Sequence, residues 1–224
     1  MFQQITSYVT NLLSPYLCGF RKGYNAQHAL LRLKNNLNKS LDKKENVGLV
    51  MMDLSKAFDC ISHDLLIAKL YAYGFDKNSI RLIYSYLKGR HQRVKINSEY
   101  SSWKEIIDGV PQGSVLGPLL FNLFINDLFL FVENSEVCNY ADDNSLIISD
   151  ISIDNVISKL ESDIEILNSW FIDNGMLLNG DKCQFMIIGP SSVSRNNVEK
   201  ITIAGKPLTN AKKVNFLELP LITS

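Results

Sequence analysis

With 224 residues and 46% hydrophobic content, the chain can bury a core as one domain, or as one domain and a fragment of another, and this excludes a disordered chain. Lysine plus arginine and aspartate plus glutamate balance at 23 each, so no overall basic surplus marks a nucleic-acid binder and any such contact must come from local stripes. Cys18, Cys60, Cys138 and Cys183 are scattered without a Cys-x-x-Cys pair, which argues against zinc; with no apolar leader and no uncharged stretch of ~18 or more residues, a reducing intracellular setting without a membrane span is expected.

The first clear element is the apolar run Val47-Gly48-Leu49-Val50-Met51-Met52, of strand length and ending on Asp53. Beside a buried strand even an unpaired neutral polar group costs ~2 to 7 kcal/mol, so the Asp53 charge requires compensation. Ser62 then caps a helix running through Tyr73, with Leu65, Leu66, Leu70 and Tyr73 on one face and Gly74 ending it. Asp76 to Lys88 forms a second helix striped by Ile80, Ile83, Tyr84 and Leu87 and stopped by Gly89. The basic stretch Lys88-Gly89-Arg90-His91-Gln92-Arg93-Val94-Lys95 suits either a phosphate backbone or a solvated turn and strand edge. Gln92 to Ile96 and Tyr100 to Ile107 are expected strands around an Asn97-Ser98 turn.

Gly117-Pro118 opens the next helix, spaced by Leu119, Leu120, Leu123, Phe124, Asp127 and Leu128. The longest apolar run, Leu116 to Val132, is interrupted by Asn122, Asn126 and Asp127. Two β-prone runs follow, Glu136 to Asn139 and Ser145 to Ile148, with Tyr140-Ala141-Asp142-Asp143 at the tip between them. Ser152 caps an amphipathic helix carrying Ile153, Val156, Ile157, Leu160, Ile164, Leu167 and Phe171, and Asn174-Gly175 stops it. Cys183 to Ile188 returns as a strand, Pro190 to Asn197 has loop composition, and Ile201 to Asn215 suggests a small hairpin. His28, His63 and His91 are too dispersed for a catalytic set and read as surface or cap residues. The order β, helices, β-hairpin, helix, β matches an α+β, ferredoxin-like split antiparallel sheet with helices on one face.

Two adjacent carboxylates at a hairpin tip and a third at a strand end suit a pair of divalent cations held between Asp53 and Asp142. Two metals roughly 3.5 to 4 Å apart are the machinery of nucleotidyl transfer. Taken singly, Asp-Asp-Asn is also ordinary solvated turn material, and Asp53 could merely cap a backbone amide.

Three boxes occur in order: Met52-Asp53-Leu54-Ser55-Lys56-Ala57-Phe58-Asp59, Gly109-Val110-Pro111-Gln112-Gly113-Ser114-Val115-Leu116-Gly117-Pro118, and Tyr140-Ala141-Asp142-Asp143. They resemble motifs A, B and C of reverse transcriptases. Cys18-Gly19-Phe20-Arg21-Lys22-Gly23-Tyr24 resembles a fingers-region motif of non-long-terminal-repeat (LINE-like, jockey-type) retrotransposon enzymes, and the resemblance covers nearly the whole chain. It implies a polymerase palm over 47–190, a partial fingers segment over 1–46, and a C-terminal hairpin over 191–224 leading toward a thumb.

The implied activity is RNA-directed DNA synthesis, extending a DNA primer on an RNA template with deoxynucleoside triphosphates. Two Mg²⁺ ions, with Mn²⁺ as a possible substitute, would be bridged by Asp53 and Asp142, with the Leu54 carbonyl as an extra ligand and Asp143 either a ligand or a nearby anion. Phe58 matches the aromatic plate that blocks a 2′-hydroxyl, though core packing is its alternative. Gln112 and Gly113 match residues lining template and nucleotide, Tyr140 would support the primer end, and Arg21 with Lys22 would touch triphosphate or template. Lys182, after Leu178-Asn179-Gly180-Asp181, matches the motif D lysine, a candidate proton donor to pyrophosphate; an exposed turn lysine is the alternative.

The resemblance weakens at both ends. Relatives carry more fingers sequence upstream, and Leu217-Glu218-Leu219-Pro220-Leu221 departs from the primer-grip pattern that Lys213-Val214-Asn215-Phe216 begins. No endonuclease-like segment is recognisable. A non-catalytic retrotransposon remnant with weak nucleic-acid binding is therefore the second expectation, and another two-metal palm enzyme such as a nucleotide cyclase the third. A ribonucleoprotein in nucleus or cytoplasm is the expected setting.

Overall fold

Every residue of the strand Asn46–Met52 is buried, so it needs partners on both edges and cover on both faces. The computed structural model, which describes residues 2–189, 200–216 and 219–222, supplies both. In chain order the elements are α1 (Phe2–Val9), α2 (Ala26–Asp42), β1 (Asn46–Met52), α3 (His63–Ala72) and α4 (Lys77–Leu87). Next come the short strands β2 (His91–Gln92), β3 (Lys95–Ile96), β4 (Glu99–Tyr100) and β5 (Lys104–Glu105), then α5 (Gly117–Ile125) and a 3₁₀ turn over Asn126–Leu130. β6 (Glu136–Tyr140), β7 (Asp143–Asp150), α6 (Ile153–Asp173) and β8 (Gln184–Ile188) follow, and β9 (Lys200–Ile203), β10 (Lys206–Thr209), β11 (Lys213–Phe216) and β12 (Leu219–Ile222) close the chain. The Pro190 to Asn197 loop and Leu217-Glu218 lie outside the described residues.

The chain divides into two compact units, Met1–Leu13 with Lys56–Ile125 and Ser14–Ser55 with Asn126–Ser224. The long insertion between β1 and β6 packs on itself, together with α1.

In the unit that contains the main sheet, the strand order is β6-β7-β1-β8 and every pairing is antiparallel. That is the ferredoxin-like order expected from the sequence. The expectation of helices on one face only is corrected: α6 covers one face and α2 the other. The reason lies in β1, whose uninterrupted apolar run leaves no face for water. On the α6 side Gly48 lets the helix approach, since a Cβ there would sit 2.7 Å from Val156 Cγ1. On the other side Val47, Leu49 and Met51 pack with Ala29 and Leu33 of α2.

Neither α1 nor α2 was among the expected elements. α2 nonetheless carries a reciprocal cap, in which Asn25 accepts from the His28 amide and His28 accepts from the Asn25 amide. α6 begins on the Ser152 cap, as expected, and Gly175 follows it at φ 72°. Its buried face also holds an unexpected charge, Asp163. That carboxylate accepts from the amides of Asn134 (3.1 Å) and Ser135 (2.6 Å) and from the Asn134 side chain (3.0 Å), which pins the segment entering β6.

In the other unit α3 and α4 start on the Ser62 and Asp76 caps, and Gly74 and Gly89 follow them in the left-handed region, as the sequence suggested. α5 is buried nearly all round rather than along one stripe, so its apolar residues carry no facial period. The α-helix stops at Ile125 and tightens to the 3₁₀ turn before Asp127 and Leu128. The two expected strands around Asn97-Ser98 appear as two short ladders, β2 with β5 and β3 with β4, separated where Arg93-Val94 faces Ser101-Ser102-Trp103. Among the described residues no helix is long and apolar enough to cross a membrane.

Candidate functional site

Asp53 follows β1 directly. The ladder between β1 and β7 ends at Met52 opposite Asn144, so the next residue on each strand is Asp53 and Asp143. β6 and β7 pair through Tyr140 and Asp143, leaving Ala141-Asp142 as the turn. The strand-end and hairpin-tip residues singled out in the sequence thus fall at the same end of one sheet. Asp142 and Asp143 are exposed, Asp53 is half-buried, and Tyr140 packs partly into the core on the α2 side.

The turn is held in an unfavourable shape. Ala141 sits at φ 58°, where a residue with a Cβ loses about 1 to 2 kcal/mol. Two buried asparagines offset this: Asn139 Nδ2 donates to the Ala141 carbonyl (2.7 Å) and to Asn144 Oδ1 (3.0 Å), and Asn144 Nδ2 donates to the Asp142 carbonyl (3.1 Å). A third brace comes from the chain around Gly19. The Cys18 amide donates to the Asn139 carbonyl (3.1 Å) and the Asn139 amide to Tyr16 (3.4 Å), while Leu17 bridges Asn139 in parallel fashion. Gly19 lies so close that an added Cβ would overlap the Ala141 amide nitrogen and fall 2.8 Å from its Cα. Arg21 serves the same segment, donating Nη1 to the carbonyls of Ser14 (2.6 Å) and Leu17 (3.0 Å) with its guanidinium over Tyr24. Lys22 is exposed.

On the other side of Asp53 the backbone is clamped by the strand-like stretch before β8. Asn179 donates its amide to the Asp53 carbonyl (2.8 Å), Leu54 bridges Leu178, and the Ser55 amide reaches Leu177 (2.9 Å). The Lys182 amide then turns back onto Asn179 (2.9 Å), and Lys182 Nζ comes 3.7 Å from Asp53 Oδ2. With both partners partly exposed this ion pair contributes about 0 to 1 kcal/mol. Its chemical meaning is larger, since the carboxylate faces a position that a cation already occupies. Burial pushes the neighbouring Cys183 thiol up, a hydrogen bond with the Asp53 backbone opposes this, and the Asp53 charge adds back to it. Among the described residues no three His, Cys, Asp or Glu side chains gather into a metal cluster of their own. Hard carboxylate oxygens at a partly solvated strand end fit a divalent ion that completes its shell with water and phosphate.

The residues matched to motif B and the aromatic plate belong to the other unit. Phe58 is half-buried, and its ring stacks on Phe121 with centroids 4.3 Å apart. Gln112 is exposed and donates Nε2 to Asp59 Oδ1 (2.9 Å). Gly113 has φ 76° and open space where a Cβ would project, a backbone that a ligand can approach.

Gly109, Val110, Arg90 and His63, none of which the sequence assigned to this task, hold the Phe58 loop in place. Gly109 donates its amide to the Ile61 carbonyl (2.8 Å), the adjoining Val110 amide reaches the Phe58 carbonyl (3.0 Å), and a Cβ on Gly109 would strike Asp59. The Gly109 carbonyl accepts from Arg90 Nη2 (2.7 Å) and lies 2.8 Å from His63 Nε2. His63 is therefore buried, not at the surface; it opens α3 and is drawn in by this carbonyl. His28 and His91 are exposed, and His28 is a cap residue. For Asn139 and Asn144 the only signal was position beside the hairpin tip, for Gly19 its place in the fingers-region motif, and nothing in the sequence pointed Arg90 or His63 to the Gly109 carbonyl.

The family model described as Reverse transcriptase (RNA-dependent DNA polymerase) matches residues 1–221. Similar proteins include a probable RNA-directed DNA polymerase from transposon BS of Drosophila melanogaster, 31% identical over 71% of this chain, and the RNA-directed DNA polymerase from mobile element jockey of Drosophila funebris, 28% identical over 93%. The chain spans 18% and 23% of the length of those two relatives. Among solved structures, apo telomerase from Candida tropicalis, truncated from its C-terminal domain, aligns over 93% of this chain and 43% of its own with a TM-score of 0.61 at 18% identity, a likeness of fold.

Proposed function

Because the chain belongs to the reverse transcriptase family, the RNA-directed DNA polymerases among nucleotidyltransferases, we propose that it carries the palm chemistry of a retrotransposon enzyme, extending a primer on an RNA template with deoxynucleoside triphosphates. The observation that supports this reading is the β1–β7 register, which ends at Met52 opposite Asn144, so that Asp53 follows on one strand and Asp143, next to the Asp142 turn, on the other.

Asp53 and Asp142 would hold divalent ions, Mg²⁺ in the first instance, with Asp143 and the Leu54 carbonyl as further oxygen donors. When bound, such ions supply charge neutralisation on the triphosphate and acidify a primer 3′-hydroxyl. The chain's own groups position and select. Asn139, Asn144 and Gly19 fix the turn that presents Asp142. Lys182, whose Nζ lies 3.7 Å from Asp53 Oδ2, would give a proton to the departing pyrophosphate. By the resemblance to motifs A, B and C, Phe58 would bear on the sugar, Gln112 and Gly113 would line the nucleotide, and Tyr140 would support the primer end. Arg21 acts by bracing the segment behind the hairpin.

Primer extension by the purified chain, with RNA and then DNA as template, tests the reading. Nucleotide addition on RNA that disappears in a folded Asp142→Asn variant supports it. Template binding without addition under any divalent ion would replace it with the reading of a non-catalytic remnant.

A further inference from the structure

The hairpin between α4 and motif B is unusual in what it shows to water. Every residue from His91 to Glu105 is exposed, including Tyr100, Trp103, Val94 and Ile96, and Ile107 is exposed just beyond. Exposed apolar and aromatic surface on this scale marks an interaction site. The hairpin is nonetheless well built. The Val94 amide donates to Ser101 Oγ (2.9 Å), the Ser101 amide returns to the Val94 carbonyl (2.9 Å), and the Ile106 amide closes the base on Arg90 (2.8 Å).

One cluster of side chains sets its chemistry. Arg93 Cζ lies 3.9 Å from the Tyr100 ring centroid and 4.6 Å from that of Trp103, and Lys95 Nζ lies 5.3 Å from Tyr100. Arg93 thus lies over both exposed rings, and Lys95 over that of Tyr100. From Lys88 to Ile107 the chain carries the cations Lys88, Arg90, Arg93, Lys95 and Lys104 against Glu99 and Glu105, in a protein whose formal net charge is zero. Arg90 is spent on the Leu87 and Gly109 carbonyls and Lys88 pairs with Asp64, so Arg93, Lys95 and Lys104 are the cations carried on the exposed stretch.

We propose that this hairpin is a binding surface for single-stranded nucleic acid, whose unpaired bases stack on Tyr100 and Trp103 while Arg93, Lys95 and Lys104 contact the phosphates. Single strands suit it because every base has a π-face to offer and a duplex hides those faces. A protein partner of ordinary apolar character would leave the cations unmatched; a polyanion matches them. The inference goes beyond the polymerase reading and does not depend on it.

The test uses the whole chain with short oligouridylate and oligothymidylate. Trp103 is 59% exposed and Trp170 only 4%, so quenching of the exposed tryptophan emission reports contact at the hairpin. Saturable quenching by either oligonucleotide is expected. By fluorescence anisotropy, the Tyr100→Ala/Trp103→Ala pair should weaken affinity roughly 5- to 150-fold for each stacked base lost. Arg93→Ala/Lys95→Ala should lower the salt slope by about 0.7 for each phosphate contact removed. These residues are exposed, so the variants should keep the wild-type circular dichroism and urea midpoint. Affinities within twofold of wild type, with unquenched Trp103 emission, would overturn the proposal. So would concentration-dependent self-association that the aromatic pair abolishes while nucleic-acid affinity stays unchanged, because the surface would then belong to a second copy. Asp142→Asn separates the two readings: it should lose extension and keep the quenching.

Discussion

Gly19→Ala probes the link between a distant sequence motif and the carboxylate turn. Gly19 does not occupy the left-handed region, so the added methyl carries no backbone penalty of its own. The whole effect is steric, because the new Cβ would overlap the Ala141 amide and lie 2.8 Å from its Cα. Backbone cannot yield as a flexible side chain would, so either the Tyr16–Gly19 segment or the turn must move. Overpacking of this kind costs about 1 to 3 kcal/mol. Movement also stretches the Cys18-to-Asn139 and Asn139-to-Tyr16 bonds, each worth about 1 kcal/mol. With both bonds lost, a destabilisation of roughly 3 to 5 kcal/mol is expected from urea denaturation. Displacing Asp142 by about 1 Å should slow single-nucleotide extension about a hundredfold. Gly23→Ala is the control, since Gly23 has φ 85° but nothing near its Cβ; it should cost about 1 kcal/mol and leave the extension rate unchanged. Wild-type stability and rate in Gly19→Ala would refute the reasoning.

Phe58→Val should admit ribonucleotides, lowering the ratio of kcat/KM for a deoxynucleotide over its ribonucleotide; an unchanged ratio in a folded variant would leave the Phe121 stack as the whole role of the ring. Stability should also depend on pH through the buried thiols. Burial pushes Cys138 up to about 12, with Cys18 adjacent and likewise raised by burial. Unfolded thiols ionise near their ordinary value of 9.0, so between there and about 12 the folded state holds protons that the unfolded state has released. This stabilisation is complete below pH 9 and declines as pH rises through that window. Urea midpoints measured across the lower part of the window should fall more steeply for wild type than for Cys138→Ala, and parallel curves would contradict the assignment.

Much of the sheet was legible because its signals are local. β1 announced itself by an apolar run, the β6–β7 hairpin by two β-prone stretches around a turn, and α6 by its Ser152 cap and 3.6-residue stripe. The same run in β1 also implied cover on both faces, yet α2 went unseen: its mean polarity is high and only Ala29 and Leu33 are fully buried. Asp53, Asp142 and Asp143 could be named from motif spacing, and pairing then brought them together. What could not be read were the braces. Gly19 against Ala141, Asn139 with Asn144, and His63 with Arg90 on Gly109 join residues through tertiary contacts that leave no periodicity and no local composition. Asp163 misleads in the opposite sense, a charge on an apolar face whose partners lie some thirty residues earlier at Asn134 and Ser135.

The most direct test of the central claim is a double-mutant cycle on RNA-templated single-nucleotide addition, with Asp53→Asn, Asp142→Asn and the pair together in variants whose folding is verified by denaturation. If the two carboxylates act as one cation-holding unit at the end of the β1–β7 ladder, each single change should reduce the rate about a hundredfold or more. The double change should then cost little beyond the worse single one. Multiplying losses, or addition that continues at a comparable rate in either single variant, would place the chemistry elsewhere.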